Sequence, residues 1–281
     1  MSTPRVNVPA PAELAALALD TARLAAELVR ERARGVVSVA ATKSSDVDVV
    51  TEADRASEEL IRRTLQQRRP DDAFLGEEGD DVAGSSGVRW VIDPIDGTVN
   101  FLYGIPQYAV SIAAEVDGPA GWRSVAGVVL NVATGVEYVA HRDADGRPVA
   151  SRDGEPIGPR AAVPLDKTLV ATGFSYDREV RRAQVTAWLD LLPRVRDIRR
   201  LGSCALDLCG VAEGTVDAYV EEGVNLWDHA AGALVAEAAG ARWELLVGAG
   251  GLSLLLCAPG PSYDDLRAAV VSAGFAASGV E

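Results

Sequence analysis

Asp93 and Asp96 stand three residues apart in the run Trp90-Val91-Ile92-Asp93-Pro94-Ile95-Asp96-Gly97-Thr98, where a hydrophobic segment ends. Pro94 biases Asp93 to extended backbone, which holds its carboxylate at a sheet edge, and Gly97 permits a tight turn that carries Asp96 to the same point. Two carboxylates about 4 Å apart in an effective dielectric near 20 repel by roughly 4 kcal/mol, comparable to much of a domain's net stability. A cation between them converts that repulsion into binding free energy. The plainer reading is a capped turn, with Asp96 bonded to local N–H groups. Gly76-Glu77-Glu78-Gly79 adds carboxylates after Phe74-Leu75, at what resembles the end of another strand, and Trp227-Asp228 adds one at the start of an apolar helix. Taken singly, these read as a solvated acidic loop and a helix cap.

The elements that must position these side chains follow from periodicity. Leu14, Leu17, Ala18, Leu24, Ala25 and Leu28 recur at helical spacing and predict a helix over residues 12–34, stopped by Gly35. A second helix is expected over 51–65, capped by Thr51, with Ala56, Leu60, Ile61 and Leu65 as its apolar stripe and Pro70 closing it. Residues 88–93 read as a short buried strand, and 108–116, 125–130 and 135–140 as successive strands of a meander. After a polar stretch at 142–166 the pattern alternates: strand 168–173, helix 177–192, strand 197–201, helix 203–213, strand 216–221 and helix 226–239. Strands 242–247 and 252–258 and a helix over 262–273 complete the chain. We expect one catalytic unit over 1–281, with halves of about 12–160 and 161–281 and no flexible linker.

Composition narrows the chemistry. The 281 residues are 48% hydrophobic and 24% charged, as in globular proteins. A formal charge of −14 argues against a nucleic-acid footprint, which draws its free energy from Lys and Arg. Cys204, Cys209 and Cys257 are too few and too irregular for a disulfide framework or a zinc site, and read as buried thiols. With His141 and His229 as the histidines, little room is left for histidine-centred catalysis. Glu13, Asp20 and Arg23 interrupt the N-terminal region, so no secretory signal is expected and a cytoplasmic location is. The uncharged run 245–263 is punctuated by Gly248, Gly250, Gly251, Pro259, Gly260 and Pro261, and reads as two buried strands around a turn, with no membrane span expected. Arg194, Arg196, Arg199 and Arg200 read as a solvated face or a subunit contact.

Four segments, Asp48-Val49-Val50-Thr51-Glu52-Ala53-Asp54, Gly76-Glu77-Glu78, Asp93 to Thr98 with Asn100-Phe101, and Glu221 through Asp228, resemble the inositol monophosphatase family in order and spacing. The resemblance runs from about residue 12 to the C-terminus. It implies an α/β fold, the layered α-β-α-β-α sandwich of the sugar-phosphatase superfamily, assembled as a homodimer. It implies a lithium-sensitive, Mg²⁺-dependent hydrolase of a small phosphorylated polyol, inositol monophosphate first. By the same comparison, Glu77, Asp93 and the carbonyl of Ile95 would bind one Mg²⁺, and Asp93, Asp96 and Asp228 a second, with a third, looser ion near Glu77. Hard oxygens suit octahedral Mg²⁺. The cations also reconcile an acidic pocket with an anionic substrate, because they reverse its local sign.

Thr98 and Glu77 would orient a metal-activated water, with Asp54 hydrogen-bonded behind Thr98, and no covalent intermediate is required. The resemblance assigns substrate contacts to Asp96, to Gly97 and Thr98 at the start of a short helix, to the turn Gly202-Ser203-Cys204, and to Glu221, which would accept hydrogen bonds from polyol hydroxyls. Cys204 stands where family members often have alanine. Lys43 would steer phosphate or serve as a surface charge. Fructose-1,6-bisphosphatase, histidinol-phosphate phosphatase and 3′-phosphoadenosine 5′-phosphate phosphatase share the metal set and are the alternatives within the class. Glu221 and the modest length favour inositol monophosphate. A rival of another class is an RNA- or transcription-complex binding protein on the same fold, as some bacterial SuhB-like relatives are.

Overall fold

A computed structural model describes residues 9–34, 39–42, 49–143 and 145–276. Gly35, Lys43 and Asp48 lie outside the described residues. Helix α1 (Pro11–Ala33) opens on a proline, whose fixed φ suits the first helical position. Its buried face is rich in alanine, Ala15, Ala18, Ala22, Ala25 and Ala26, beside Leu14 and Val29, with Leu17 and Leu28 partly buried against the same cluster. Leu24, expected on the buried stripe, is 46% exposed.

Strands β1 (Val39–Thr42) and β2 (Val49–Thr51) form an antiparallel pair that leads into α2 (Glu52–Arg68). The Thr51 hydroxyl accepts from the N–H groups of Ala53 and Asp54, and Asp54 accepts in return from the Thr51 N–H, a capping box. The expected stripe of α2 is half right: Ile61 and Leu65 are buried as expected, but Ala53, Asp54, Ser57 and Glu58 are buried in place of Ala56 and Leu60. Three polar members of that face are tolerated because each is hydrogen-bonded, Asp54 to Thr98, Ser57 to the Pro94 carbonyl and Glu58 to the N–H of Glu78.

A seven-stranded sheet follows, in the order β3 (Ala73–Gly76), β4 (Val88–Asp96), β5 (Ala109–Gly118), β6 (Gly121–Asn131), β7 (Glu137–Arg142), β8 (Pro148–Arg152) and β9 (Glu155–Pro156). The pair β3–β4 is parallel, and each later pair is antiparallel, as in the expected meander. Between β4 and β5 lies α3 (Thr98–Tyr103). Strands β8 and β9 occupy the stretch expected to be loop. Neither strand buries a residue fully, so neither carries a period-two apolar signal.

The second sheet has five strands in the order β11, β10, β12, β14, β13. Its elements in chain order are β10 (Leu169–Thr172), α4 (Arg178–Leu191), β11 (Asp197–Arg199), α5 (Cys204–Glu213), β12 (Ala218–Glu222), α6 (Leu226–Ala239), β13 (Ala241–Val247), β14 (Ser253–Pro259) and α7 (Tyr263–Ser272). Strand β10 runs parallel to β11 and β12, while β14 runs antiparallel to β12 and β13. Of the two strands expected to be buried, β14 is, but β13 sits at the sheet edge with Leu245 44% and Val247 45% exposed.

Three apolar clusters fix the layers. One joins α1 and α2 to the seven-stranded sheet through Ala18, Ile61, Trp90, Ile112 and Val128. The largest sets α5 and α6 between the sheets, with Leu208 and Ala231 against Val129 on one side and Tyr219 and Leu255 on the other. The third packs α4 and α7, through Trp188 and Leu266, on Val170, Val220 and Leu256. The order is α-β-α-β-α. The cysteines are free and buried, and among the described residues no helix is long and apolar enough to cross a membrane.

Candidate active site

Residues three apart on a regular strand face opposite sides of the sheet. Asp93 pairs with Ser111 and Asp96 with Ala109, so three steps on β4 match two on β5, and the bulge at Pro94-Ile95 returns both carboxylates to the same side. The strand therefore continues to Asp96, past the end expected at Asp93. The turn begins at Gly97, whose φ of 95° lies where glycine is favoured, and where a Cβ would stand 2.9 Å from the Gln107 carbonyl. Helix α3 starts at the next residue, as the Gly97-Thr98 reading expects.

The Asp96 carboxylate accepts from the Ser203 hydroxyl at 2.5 Å, from the Ala205 N–H at 2.7 Å and from the Cys204 N–H at 3.3 Å. The capped-turn reading is thus half right: Asp96 does cap N–H groups, but those of α5 in the other half of the chain. Asp228, in the first turn of α6, accepts from the Asn225 N–H at 2.6 Å. Glu77 follows β3 and donates its N–H to the Ile92 carbonyl. The loop behind it is held by Glu58, which accepts from the N–H groups of Glu78 at 2.8 Å and Gly79 at 3.0 Å and is itself fixed by Arg62 at 2.7 Å.

Glu77, Asp93, Asp96 and Asp228 line one cavity of about 390 Å³, together with Ile95, Gly97, Thr98, Gly202, Cys204 and Glu221. Burial first, and then the charges of Glu77, Asp96 and Asp228, push the Asp93 carboxyl well above the ordinary carboxylate range. Burial and Glu77 do the same to Asp228. For Asp96, burial outweighs the bonds from Ser203 and Ala205 and lifts it to about 6. Among the described residues no three such side chains converge tightly enough to hold a metal ion as they stand. Two of them, Asp96 and Asp228, are engaged with helix N–H groups instead. The donor set nevertheless fits a hard divalent cation, because it consists of desolvated carboxylate oxygens that repel one another around a shared space.

The Thr98 hydroxyl lies 3.0 Å from an Asp54 oxygen and 3.0 Å from the Ile95 carbonyl. Asp54 is fully buried and does not line the cavity; its other oxygen accepts from the Thr51 N–H and hydroxyl. An ordinary exposed acid at this position is therefore excluded. Ser203, expected at the substrate, is 2% exposed and absent from the cavity lining, its hydroxyl serving Asp96 and the Leu206 N–H. In the same cavity Glu221 accepts from the Tyr219 hydroxyl at 2.6 Å, burial raises its carboxyl, and its charge acts on Asp96 and Asp228.

Several contacts of the site carry no local signal in the chain. Arg200 lines the cavity and its charge acts on Glu221 and Asp207, whereas Arg194, Arg196 and Arg199 are bonded to Asp190, the Lys167 carbonyl and Asp197. Asn100 donates to the carbonyls of Gln107 and Leu201, both at 2.7 Å, tying α3 to the Gly202 turn. The segment Phe174–Asp177 forms part of the cavity wall. For Glu58 a signal existed, since Glu58 and Arg62 form an i,i+4 pair on α2.

The sequence profile of the inositol monophosphatase family matches residues 10–269. The inositol-1-monophosphatase SuhB of Mycobacterium tuberculosis is 43% identical over 277 residues, covering 92% of this chain and 94% of its own. The Nus factor SuhB of Pseudomonas aeruginosa is 36% identical over 230 residues, covering 80% and 82%. The solved structure of Mycobacterium tuberculosis SuhB aligns with a TM-score of 0.79 at 40% identity, over 95% of this chain and 99% of that one.

Proposed function

The chain belongs to the inositol monophosphatase family, and from that premise we propose that it is a phosphoric monoester hydrolase that converts inositol monophosphate to inositol and phosphate with Mg²⁺ in the cavity. The observation that carries the reading is the gathering of Glu77, Asp93, Asp96 and Asp228 around one space, where burial raises the carboxyls of Asp93, Asp96 and Asp228 and the neighbouring carboxylates add to the rise at Asp93 and Asp228. Glu77, Asp93 and the Ile95 carbonyl would hold one ion, and Asp93, Asp96 and Asp228 a second. When bound, the ions supply a water of lowered pKa and offset charge on the phosphoryl and departing oxygens.

The protein's own groups set the direction of attack. With the Thr98 proton donated to Asp54, the hydroxyl oxygen presents its lone pairs to the cavity and accepts a hydrogen bond from water, turning that water's free lone pair toward phosphorus. Glu77 accepts the second water proton. Gly97, Thr98, Gly202 and Cys204 line the cavity, and the backbone N–H groups of Gly97 and Thr98 would bind the phosphate. Glu221, fixed by Tyr219, would accept from polyol hydroxyls in the same cavity, which Arg200 also lines. A homodimer in the cytoplasm is part of the same reading, on family resemblance.

Phosphate release is to be measured with Mg²⁺ on inositol 1-phosphate, fructose 1,6-bisphosphate, histidinol phosphate and 3′-phosphoadenosine 5′-phosphate. The reading expects the first to be fastest; negligible release from it beside fast release from another ester overturns the substrate. The likeness to a Nus factor supports a second reading, a role in a transcription complex. Affinity capture with the Asp93→Asn variant separates the two: specific recovery of RNA polymerase or ribosomal partners favours the second, and their absence the pure enzyme.

A further inference from the structure

The buried face of α4 is apolar, Val180, Ala187, Trp188 and Leu191, except for Gln184, which is 2% exposed. A hydrocarbon at 184 would suit this packing, and an amide there is tolerated only when its polar atoms are partnered. Both of its ends are. The Gln184 Oε1 accepts from the Ser175 N–H at 2.9 Å, and its Nε2 donates to the Glu222 carbonyl at 3.1 Å. Arg181, one turn earlier, donates to the Ser175 carbonyl at 2.7 Å. Ser175 belongs to the cavity wall, so α4 holds that wall from behind on both sides of one residue.

Glu222 extends the connection. It is 1% exposed, and its carboxylate accepts from the Leu252 N–H at 3.1 Å under the turn between β13 and β14. Leu252 also lines the cavity. Glu221 precedes Glu222 on β12, and alternation along the strand sends its carboxylate to the other side, into the cavity. There it lies over Gly173, where a Cβ would overlap it, so the loop and the Glu221 carboxylate are seated against each other. The buried amide of Gln184 therefore joins the 173–177 loop to the strand carrying Glu221, and the Glu222 carboxylate joins that strand to the β13–β14 turn.

We propose that Gln184 is a positioning residue for polyol recognition: by joining Ser175 to the Glu222 carbonyl it fixes Glu221 and that wall of the cavity, and thereby sets the KM for polyol phosphates without touching the substrate. The inference rests on the reading under Proposed function and assigns that wall a task distinct from phosphorus chemistry. A flat aryl ester has no hydroxyls for Glu221 to accept from, and the side-chain bonds of Gln184 run to Ser175 and Glu222 and not to Glu77, Asp93, Asp96 or Asp228.

The test compares inositol 1-phosphate with p-nitrophenyl phosphate at saturating Mg²⁺, in the full-length wild type, in Gln184→Met and in Arg181→Met, which cuts the same loop from a less buried position. The expected result in each variant is a KM for inositol 1-phosphate raised about five- to tenfold, in line with the loss of one or two hydrogen bonds. The kcat should stay within about twofold, and kcat/KM for p-nitrophenyl phosphate should be unchanged. Amide exchange should rise at Ser175 in both variants and also at Leu252 in Gln184→Met. Equal losses on both substrates, or no change on inositol 1-phosphate in Arg181→Met together with unchanged exchange, overturn the inference while leaving the family reading intact. A wild type that hydrolyses the aryl ester but not inositol 1-phosphate overturns the substrate reading, and this inference with it.

Discussion

Stripped of divalent cations, the protein should lose stability as pH rises through the weakly acidic range, and Mg²⁺ should restore more of it at high pH than at low. The Asp96 carboxyl moves from 3.8 to about 6 on folding, and Asp93 and Asp228 move in the same direction, chiefly through burial. A carboxyl with a raised folded pKa holds its proton more tightly in the folded state, so the metal-free fold is favoured below the unfolded value. That advantage is lost as pH climbs from near 3.8 through about 6. For Asp96 alone the full loss is roughly 3 kcal/mol, of which about half falls between pH 5 and pH 7.5. In a chain of 281 residues that corresponds to a fall of about 2–3 °C in Tm, and Asp93 and Asp228 add to it.

The assay is thermal unfolding in EDTA from pH 4 to pH 8, repeated with excess Mg²⁺ and with Asp93→Asn. The variant keeps an acceptor for the Ile95 N–H, which bonds Asp93 at 3.0 Å, and gains a donor toward Glu77, while removing one charge. Without metal it should match the wild type near pH 4 and exceed it at pH 7.5, and it should gain little from Mg²⁺. A metal-free Tm that is flat across this range, or a gain from Mg²⁺ as large at pH 5 as at pH 7.5, refutes the argument. So does a wild-type pH slope in Asp93→Asn.

Thr98→Ala should lower kcat by about 10²-fold or more with the Mg²⁺ dependence of Tm intact, and Asp54→Asn should lower it by about 10-fold, since Asp54 acts through the Thr98 hydroxyl; steady-state kinetics beside unfolding curves separate the two effects. Glu58→Gln should raise the Mg²⁺ concentration for half-maximal rate by about 10-fold, because Glu58 holds the loop that presents Glu77; a Mg²⁺ titration of turnover with an unchanged midpoint would contradict it. Li⁺ at millimolar concentration should inhibit turnover by displacing Mg²⁺ at the site of Asp93, Asp96 and Asp228, and undiminished rates in its presence would show that this exchange does not occur.

The motifs were legible because their chemistry is local. The Asp93 to Thr98 run carries its own strand, kink and turn, and Thr51 with Asp54 carries its own capping box. The α-β-α-β-α order was implied by the family resemblance; the periodicity fits it without establishing it, because helix ends such as the Asp177 cap of α4 and the terminal Gly240 of α6 mark elements and not layers. What stayed hidden is what depends on partners far along the chain. An odd spacing between Asp93 and Asp96 does not announce the bulge that puts both on one side, because that depends on pairing with Ser111 and Ala109. The bonds from Ser203 to Asp96 and from Asn100 to Leu201 each span about a hundred residues. On α2 the buried face was partly misplaced because hydrophobicity cannot show that Asp54, Ser57 and Glu58 are buried for their hydrogen bonds. Strands β8 and β9 escaped notice because an exposed sheet edge needs no apolar alternation.

The claim beneath all of this is that side chains brought together from β3, β4 and α6 take up divalent ions, and that turnover requires those ions. Titrating Mg²⁺ into metal-free protein by calorimetry, with phosphate release from inositol 1-phosphate followed in the same samples, tests it directly. The account predicts at least two ions per chain, activity that appears as they bind, and loss of both in Asp93→Asn. Full activity in EDTA, or undiminished Mg²⁺ uptake by Asp93→Asn, would contradict it.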